Sequence, residues 1–332
     1  MPYVNGASLF NRPSVCVSQR RSQHGRTRWS IRVDRIGEPH PVTKHSWTLF
    51  CLLFVGCDST STTRPGADVP PPPTVGPPRL SILAWNVESG GNDPEVIASQ
   101  LADFAGYDVC CLCEVHPSNF ERYKSALGDG FMSVNSKTGG SDRLQVIFNG
   151  SRFELLQQRE LDHYGEYELN NGTHRSPLFV RLRDRNSDTE FIVMTNHLAR
   201  GNADLRTKQA VGMREWARDQ NVAIINIGDF NMDYDFPSEK GNDAFVEMLR
   251  DGVWQWARPT EFIDTNWFDP DGDGNDNYPD SMLDFAFVAG PAKDWSPVCK
   301  VIIRESDFPD DGTTSDHRPI ELRLTAIHSA VE

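Results

Sequence analysis

Six short polar motifs, each at the end of an apolar run, carry the side chains of this chain that are best suited to chemistry. They are Trp85-Asn86, Glu114-Val115, Asn196-His197, Gly228-Asp229-Phe230-Asn231, Leu283-Asp284-Phe285 and Ser315-Asp316-His317. Together they supply carboxylates, amides and two imidazoles, the groups that proteins use for metal-assisted attack on a phosphate ester. A single Asp or His at a strand end is usually a turn former or a cap. Six such motifs in one chain favour a shared site.

Apolar segments precede four of the motifs and predict buried strands that end in polar side chains. The segments cover residues 80–84, 107–113, 191–194 and 222–227. The last of them is rich in β-branched residues and is typical of a strand buried on both faces. We expect Gly228 to turn the chain after this strand and to present Asp229 and Asn231 at the edge of the sheet.

Two helices are predicted between these strands. Asp93 followed by Pro94 is the N-cap and first-turn pattern of a helix. A second helix is expected over about residues 203 to 219, where we assign Met213 and Trp216 to core packing. Because strands and helices alternate, the sequence predicts a layered α/β domain.

The motifs resemble those of the endonuclease/exonuclease/phosphatase superfamily, in particular its pancreatic-type deoxyribonuclease and bacterial sphingomyelinase branches. The order Asn, Glu, His, Asp-x-Asn, Asp and Asp-His is the same, and Gly-Asp-Phe-Asn followed by Ser-Asp-His-x-Pro is specific in combination. The likeness covers about residues 79 to 326. It implies a four-layer α/β sandwich, in which two mixed β-sheets pack face to face with helices outside.

The resemblance also implies roles for the motif residues. Glu114 would be the main carboxylate ligand of a divalent ion, with Asn86 and Asp316 close to the same ion. A sparse oxygen site of this kind suits Mg²⁺, with Mn²⁺ as the alternative metal. His317 would be the general base, or the partner of the attacking water, and Asp284 would fix its tautomer.

Four further residues complete the implied site. Asp229 would orient the nucleophile, Asn231 would donate to a phosphoryl oxygen, and His197 would stabilise charge or assist the leaving group. Arg175 resembles the phosphate-facing arginine of the family, because its planar fork suits phosphate oxygens. A surface ion pair is the alternative interpretation of Arg175.

A second metal signal lies in the acidic loop 269–280. Acidic or amide residues occupy positions 1, 3, 5, 7, 9 and 12 of this loop and Gly274 occupies position 6, the spacing of an EF-hand calcium loop. The candidate Ca²⁺ ligands are Asp269, Asp271, Asp273, Asn275 and Asp280. The alternative is a solvated acidic turn, since Asp-Gly repeats are ordinary turn chemistry. The adjacent Trp267 and Phe268 are expected to be rim contacts or packing residues.

The first 78 residues do not read as a globular domain. Residues 1–57 resemble a basic leader and a lipoprotein-type signal segment, with a short apolar run before Cys57. Residues 58–78 are rich in Ser, Thr and Pro and predict a linker, and 327–332 form a tail after the catalytic domain 79–326. We therefore expect export, either as a lipoprotein anchored through Cys57 to a bacterial membrane or as a secreted protein, in both cases monomeric.

Charge and cysteine content restrict the function further. The first 45 residues hold eight Lys and Arg against two acidic residues, a net charge of +6. Because the net charge of the whole chain is −14, the remaining residues carry a net charge of −20. An acidic domain is a poor electrostatic partner for nucleic acid, which keeps small phosphoesters and lipid headgroups in contention. Cys110, Cys111 and Cys113 lie in one apolar strand as small hydrophobes, and the sequence names no disulfide partner for Cys299.

The sequence therefore predicts a Mg²⁺-dependent phosphoesterase that hydrolyses a phosphodiester by in-line attack of water. A nuclease is slightly favoured because the motif set is generic. The alternative is a phosphoesterase acting on a lipid, inositol or sugar phosphate, as in sphingomyelinase. A further alternative is a non-catalytic calcium-binding surface protein, which retention of both His197 and His317 disfavours.

Overall fold

Two six-stranded β-sheets form the centre of the protein, which we describe from a computed structural model. The structure describes residues 80–325 apart from 279, 306 and 311. The strands are β1 (Leu80–Asn86), β2 (Val109–Val115), β3 (Phe131–Asn135), β4 (Arg143–Asn149), β5 (Phe153–Glu160), β6 (His163–Tyr164), β7 (Tyr167–Glu168), β8 (Leu178–Asp184), β9 (Glu190–His197), β10 (Ala223–Asp235), β11 (Trp254–Trp256), β12 (Ser281–Ala289), β13 (Pro297–Val301) and β14 (Ile320–Leu324). The α-helices are α1 (Pro94–Ala102), α2 (Phe120–Leu127), α3 (Ala203–Arg218) and α4 (Asp243–Leu249).

Each large sheet contains one parallel strand pair among antiparallel ones. The first sheet has the order β13-β14-β1-β2-β4-β3, and the second has the order β11-β12-β10-β9-β8-β5. In the first sheet β1 runs parallel to β2, and in the second β9 runs parallel to β10. The sheets are therefore mixed, and the predicted four-layer α/β sandwich is confirmed.

The main core lies between the two sheets, and alternation along β1 shows how the sequence creates it. Ile82 and Ala84 belong to the cluster shared with the second sheet, whereas Leu83 and Trp85 belong to a separate cluster that packs against α1 and α2. Successive side chains of a strand point to opposite faces, so one apolar strand buries two surfaces. All five of the apolar residues from Leu80 to Trp85 are at most 1% exposed.

Both predicted helices are present with the expected ends. The Asp93 side chain caps α1 by accepting a hydrogen bond from the Glu95 N–H, at 2.9 Å. Helix α3 buries Met213 and Trp216 in the core, as predicted. The four described cysteines are buried free thiols.

The expectation that Gly228 turns the chain is wrong. Strand β10 continues through it to Asp235, and Gly228 instead permits close contact between neighbouring strands. A Cβ at this position would lie 2.6 Å from the Asn196 carbonyl oxygen, and the φ of 148° is one that other residues rarely adopt.

The leader, Cys57, the linker and the C-terminal tail all lie outside the described residues. Their predicted roles remain predictions. Within the described part of the chain, no helix has the length and apolar character needed to cross a membrane.

Candidate active site

Strand pairing brings five of the motif residues to one edge of the two sheets. Asp229 of β10 lies opposite His197 on one side and opposite Asp284 on the other. Asn86 ends β1, and Glu114 lies at the end of the parallel neighbour β2. The carboxyl ends of parallel strands share an edge, and the antiparallel β12 begins there. The predicted convergence of strand tips therefore follows from the register of the sheets.

The first candidate catalytic pair is His317 with Asp284. Nδ1 of His317 lies 2.8 Å from Oδ2 of Asp284, and both side chains are buried. Thr265 Oγ1 accepts the Leu283 N–H at 2.9 Å next to Asp284. The Trp85 indole donates to the His317 carbonyl at 2.8 Å. The histidine is thus fixed at its backbone and at one ring nitrogen, which leaves Nε2 directed towards the other site residues.

The environment of His317 favours its protonated form. Burial alone would lower its pKa, but the nearby carboxylates of Asp284, Asp316 and Asp229 outweigh burial and raise the pKa well above its usual value. Nε2 lies 3.9 Å from Oδ2 of Asp229 and 3.9 Å from Oδ1 of Asp316. Neither distance allows a direct hydrogen bond, whereas a water hydrogen-bonded to Nε2 and to either carboxylate would bridge such a separation.

The second histidine, His197, has the opposite electrostatic environment. Its Nδ1 accepts a hydrogen bond from the Arg175 guanidinium, and its Nε2 lies 3.3 Å from Oδ2 of Asp229. Burial and the positive charge of Arg175 lower the His197 pKa to about 4. At neutral pH His197 is therefore uncharged, with its proton placed on Nε2 by these two contacts.

Asp229 joins the two histidines. Its Oδ2 accepts a hydrogen bond from Nδ2 of Asn86 at 3.1 Å, and its Oδ1 accepts the Asn231 N–H at 2.9 Å. The carboxylate is 1% exposed. These contacts give Asp229 one orientation, in which it faces both imidazoles.

Glu114 owes its position to an irregularity in β2. Pairing with β4 shifts register between Leu112 and Val115, and Glu114 has a φ of 53°. A β-bulge of this kind re-aims a side chain at a strand end, and positive φ in a residue other than glycine is backbone strain typical of functional sites. The Glu114 carboxylate accepts from Nδ2 of Asn86 at 3.0 Å.

Two other carboxylates crowd the same region. Burial, followed by repulsion from Asp316, raises the pKa of Glu88 to about 7. Burial, together with repulsion from Glu114 and Asp229 and against the opposing effect of His317, raises the pKa of Asp316 to about 6. An N–H of the Asp316 backbone donates to Glu88 at 3.1 Å. Such a concentration of negative charge fits a cation.

A more compact cation site lies beside it. Carboxylate oxygens of Glu114 and Asp142 and a ring nitrogen of His197 all lie within 4.8 Å of one another. Oδ1 of Asp142 is buried without a hydrogen-bond partner in the described structure. Burial raises the Asp142 pKa. The expected metal residues were Asn86, Glu114 and Asp316. The observed group shares only Glu114 with them and adds Asp142 and His197.

Asn231 lies in the site with both ends of its side chain engaged. Its Nδ2 donates to the Leu198 carbonyl at 3.1 Å, and its Oδ1 accepts from Arg200 at 3.0 Å. Of its two amide hydrogens, one is thereby used, so one is available for the predicted contact with a phosphoryl oxygen.

Arg175 contacts two residues of the site, Asp142 and His197. Its guanidinium lies 3.1 Å from the Asp142 carboxylate, with 14% of the arginine side chain exposed. The contact is therefore not the surface ion pair of the alternative interpretation. Nε of Arg175 is buried and has no hydrogen-bond partner within the described residues, which leaves donor capacity on this guanidinium beside Asp142 and His197.

The acidic loop gathers only part of its expected calcium ligands. Asp269, Asp271 and Asp273 offer oxygens within 4.8 Å of one another, whereas Asp280 at position 12 is outside that group. The Asp269 carboxylate accepts backbone N–H groups of Gly272 and Gly274, both at 2.8 Å. These hydrogen bonds lower its pKa. Calcium binding here remains a prediction.

The residues beside the loop connect it to the site. The Trp267 N–H donates to the Asp316 carbonyl at 2.8 Å, and the ring of Phe268, 39% exposed, packs on Tyr278 with centroids 4.6 Å apart. Trp267 is thus tied to the His317 segment, and Phe268 lies at the rim.

Sequence reasoning missed three residues of the site: Glu88, Asp142 and Arg200. Glu88 and Arg200 each follow a recognised motif closely, in Trp-Asn-Val-Glu and Asn-His-Leu-Ala-Arg. Asp142 directly precedes the buried strand β4. A search for polar residues at the starts of antiparallel strands, which reach the same edge as the ends of their neighbours, would have found it.

The arrangement can activate water and handle a phosphate. It holds a histidine with its carboxylate partner, an arginine with unused donor capacity, and carboxylates that suit a divalent ion.

Comparison with known proteins extends over most of the chain. Residues 83–317 match the Endonuclease/Exonuclease/phosphatase family. No curated protein sequence gives a significant match.

Solved structures share the fold at low sequence identity. The mannosyl-6-phosphatase Bt3783 of Bacteroides thetaiotaomicron is 17% identical, with a TM-score of 0.56 over 74% of this chain and 99% of that one. Danio rerio TDP2, solved with a single-stranded DNA product, is 17% identical, with a TM-score of 0.57 over 74% and 99%. The human Nocturnin catalytic domain is 16% identical, with a TM-score of 0.50 over 74% and 92%.

Proposed function

The chain belongs to the endonuclease/exonuclease/phosphatase family, and from this premise we propose that it is a divalent-metal-dependent phosphoesterase that cleaves a phosphodiester by in-line attack of water. The observation that carries the proposal is the buried His317–Asp284 pair, whose remaining ring nitrogen faces Asp229 and Asp316 at 3.9 Å. A base with its orienting carboxylate is what the activation of water requires.

In the proposed reaction His317 acts in its neutral form. Nε2 takes a proton from a water that is also hydrogen-bonded to Asp229, while the water oxygen forms a bond to phosphorus. The bond from phosphorus to the leaving ester oxygen breaks, and its electron pair stays with that oxygen. Asp284 stabilises the imidazolium that results. Because the His317 pKa is raised, the fraction of active base increases as the pH rises.

The carboxylates that fit a divalent ion are Glu114 and Asp142, with Asn86 and Asp316 nearby. The Nδ1 lone pair of His197, beside them, is taken by Arg175. When bound, Mg²⁺ or Mn²⁺ would polarise a phosphoryl oxygen and stabilise the charge that develops on it. The unpaired buried oxygen of Asp142 and the raised pKa of Asp316 both support a cation in this region.

His197 and Arg175 would handle the negative charge of the phosphate. A neutral His197 has one N–H, on Nε2, which faces Oδ2 of Asp229 at 3.3 Å and would be shared between Asp229 and the phosphate. Its pKa of about 4 makes it a poor proton carrier at neutral pH. We therefore assign it charge stabilisation, one of its two expected roles. Arg175 supplies a fixed positive fork on the same side.

The test measures hydrolysis of plasmid DNA, sphingomyelin and bis(p-nitrophenyl) phosphate by the full chain in Mg²⁺, Mn²⁺ or EDTA. His317→Ala is compared with His163→Ala, which alters an exposed histidine of β6. We expect turnover that needs metal, is lost in His317→Ala and survives in His163→Ala. Absence of turnover on all three substrates, with Ca²⁺ still bound, would instead favour the non-catalytic calcium-binding protein.

We also propose that the protein is exported and anchored through Cys57, on the strength of its signal-like sequence alone. Expression in a bacterial host followed by membrane fractionation tests this. The unchanged chain should be found with membranes and Cys57→Ala in the soluble fraction, and an equal distribution of the two would contradict the anchor.

A further inference from the structure

A cavity of about 260 Å³ opens beside the proposed reaction centre, between the end of β10 and the start of β12. Arg200 and Tyr278 line it together with Asp233, Asp235 and Ser281. None of these residues has a role in the proposed water attack. Its volume is below that of pockets for drug-sized ligands, so it suits a single small group rather than an extended polymer.

Strand β10 links the cavity to the reaction centre. Asp229, Asn231, Asp233 and Asp235 alternate with three side chains that are at most 3% exposed. The first two of these polar residues lie in the site and the last two line the cavity, and an irregularity of β10 between Asp229 and Tyr234 carries the chain from one to the other. Asn231 and Asp233 have positive φ values of 49° and 45°, so the segment is not fully extended, and two residues of chain span at most about 7 Å. A group joined directly to a phosphate at Asn231 would therefore reach Asp233.

Two further contacts tie the cavity to catalytic residues. Arg200 donates to Oδ1 of Asn231 at 3.0 Å, and its guanidinium carbon lies 5.2 Å from the centre of the Tyr278 ring. Asn266, also in the lining, forms an isolated β-bridge with His317. The cavity is therefore part of the framework that positions the reaction centre, and its occupant would lie next to the scissile phosphate.

The charge of the lining restricts the occupant. Among the lining residues two carboxylates face one guanidinium, which is already engaged by Asn231 and by the Tyr278 ring. The guanidinium of Arg206, outside the lining, lies 3.8 Å from the Asp233 carboxylate and is engaged by it. A second phosphate, such as the next one along a nucleic acid, would be repelled. Hydroxyl groups, in contrast, donate hydrogen bonds to carboxylates.

The acceptor capacity is available. Asp235 accepts the Ser238 N–H at 2.7 Å and Asp233 accepts from Asn242 at 3.0 Å, although each carboxylate offers about four lone-pair positions. Ser281 adds a hydroxyl, and Tyr278, 44% exposed, adds an aromatic surface. Such a lining suits a ring with hydroxyl groups at its edge, which would bond to the carboxylates and the serine, and an apolar face, which would pack on the tyrosine.

We infer that this cavity binds a neutral, hydroxyl-rich group, a sugar or cyclic polyol, esterified to the phosphate that is cleaved. The inference rests on the proposed phosphoesterase function and deepens it, because it selects the sugar phosphoester over the nucleic acid that the motifs slightly favoured. Asp233 and Asp235 are the specificity residues, and the hydroxyls of the substrate are their partners.

The test compares two chromogenic diesters, p-nitrophenyl glucose-6-yl phosphate and p-nitrophenyl cyclohexylmethyl phosphate, which differ in the ring oxygen and the ring hydroxyls. The full chain with Mg²⁺ should show a kcat/KM at least about 10-fold higher for the glucose diester, the size expected of hydrogen bonds to charged groups. The double variant Asp233→Asn, Asp235→Asn should reduce this preference to about 2-fold or less. Asp294→Asn, a matched change at an exposed residue, should leave it unchanged.

Three results would overturn the inference: no preference in the unchanged protein, equal loss on both diesters in the double variant, or a higher kcat/KM for p-nitrophenyl thymidine-5′-yl phosphate, which has the same leaving group, than for the glucose diester. Failure of the proposed function is distinguished by bis(p-nitrophenyl) phosphate, which tests turnover without a ring in the cavity. If that substrate is not cleaved, ligand binding to the cavity is measured instead, by calorimetric titration of the full-length His317→Ala variant in the presence of Mg²⁺. Tighter binding of glucose 6-phosphate than of cyclohexylmethyl phosphate supports the inference, and equal binding overturns it.

Discussion

The two histidines of the site differ in their neighbours although both are buried, at 4% exposure for His317 and 5% for His197. His317 has the carboxylate of Asp284 at 2.8 Å and a raised pKa. His197 has the guanidinium of Arg175 on its Nδ1, and its pKa falls to about 4. Two histidines buried to the same depth therefore differ in protonation: His317 binds its second proton tightly, whereas His197 stays neutral and donates a hydrogen bond. The charged group next to Nδ1, rather than burial, therefore decides whether each histidine is protonated.

The largest expected effect separates the two histidines by rate. His317→Ala should lower kcat by about 10³-fold, as loss of a general base does. His197→Ala should lower it by about 10²-fold, the size of one charge-stabilising hydrogen bond. Steady-state kinetics at saturating Mg²⁺ and bis(p-nitrophenyl) phosphate measures both. Equal losses, or a larger loss at His197, would contradict the assignment of roles.

Removal of the cation beside His197 should make the two histidines more alike. In Arg175→Gln the guanidinium no longer opposes protonation, so the His197 pKa should rise from about 4. Activity should fall by about 100-fold, since a charged donor to the phosphate is lost, and the partly buried ion pair with Asp142 is broken as well. NMR titration of the histidine rings measures the pKa. Arg159→Gln, at an exposed arginine, is the control, and a His197 pKa unchanged in Arg175→Gln would refute the explanation.

Metal binding should stabilise the protein in a pH-dependent way. Glu88 and Asp316 have folded-state pKa values raised to about 7 and about 6. Without metal, stability should therefore fall as the pH rises from about 4.5 to 7, because the folded state holds protons that the unfolded state releases. At pH 8 these carboxylates are ionised, and Mg²⁺ at 100 times its Kd should add about 2.7 kcal/mol.

Thermal unfolding with and without Mg²⁺ at pH 5 and pH 8 measures this effect. The Mg²⁺-dependent rise in Tm should be much smaller at pH 5, and Glu114→Gln should remove it at both. Glu166→Gln, at an exposed position, should leave it intact. A Tm shift of equal size at the two pH values would show that the ion binds elsewhere.

The smallest effect is expected at Gly228 of β10. This strand lies between β9, which ends in His197, and β12, which holds the His317 partner Asp284. In Gly228→Ala the new Cβ would meet the Asn196 carbonyl oxygen at 2.6 Å, with a cost of about 1–3 kcal/mol in the free energy of unfolding. Urea denaturation measures it. Gly106→Ala is the matched control, because no atom lies within 4 Å of its Cβ position, and equal stability of the two variants would refute the close-contact explanation.

The sequence predicted those features of the fold that depend on local pattern. Apolar runs gave β1, β2, β9 and β10, the Asp93 cap gave the start of α1, and the order of polar motifs indicated the family. These signals are local because a strand or cap is specified by residues next to one another.

Features that depend on strand register were not predicted. Gly228 was expected to turn the chain, yet its role comes from contact with Asn196 on the adjacent strand. Asp142 reaches Glu114 and His197 only because β4 is antiparallel to β2. The opposite protonation of the histidines likewise depends on Arg175 and Asp284, which are far from them in sequence.

The most direct test of the account is the pH dependence of kcat/KM for the full chain and for Asp284→Asn at saturating Mg²⁺. His317 must be deprotonated to act as a base, so the rate of the unchanged protein should rise with pH through an apparent pKa above 6.5. Asp284→Asn removes the carboxylate that raises the His317 pKa and should move this acid limb down by about one pH unit or more, with a lower plateau. An acid limb that stays in place, or moves up, would contradict the assignment of His317 as the base.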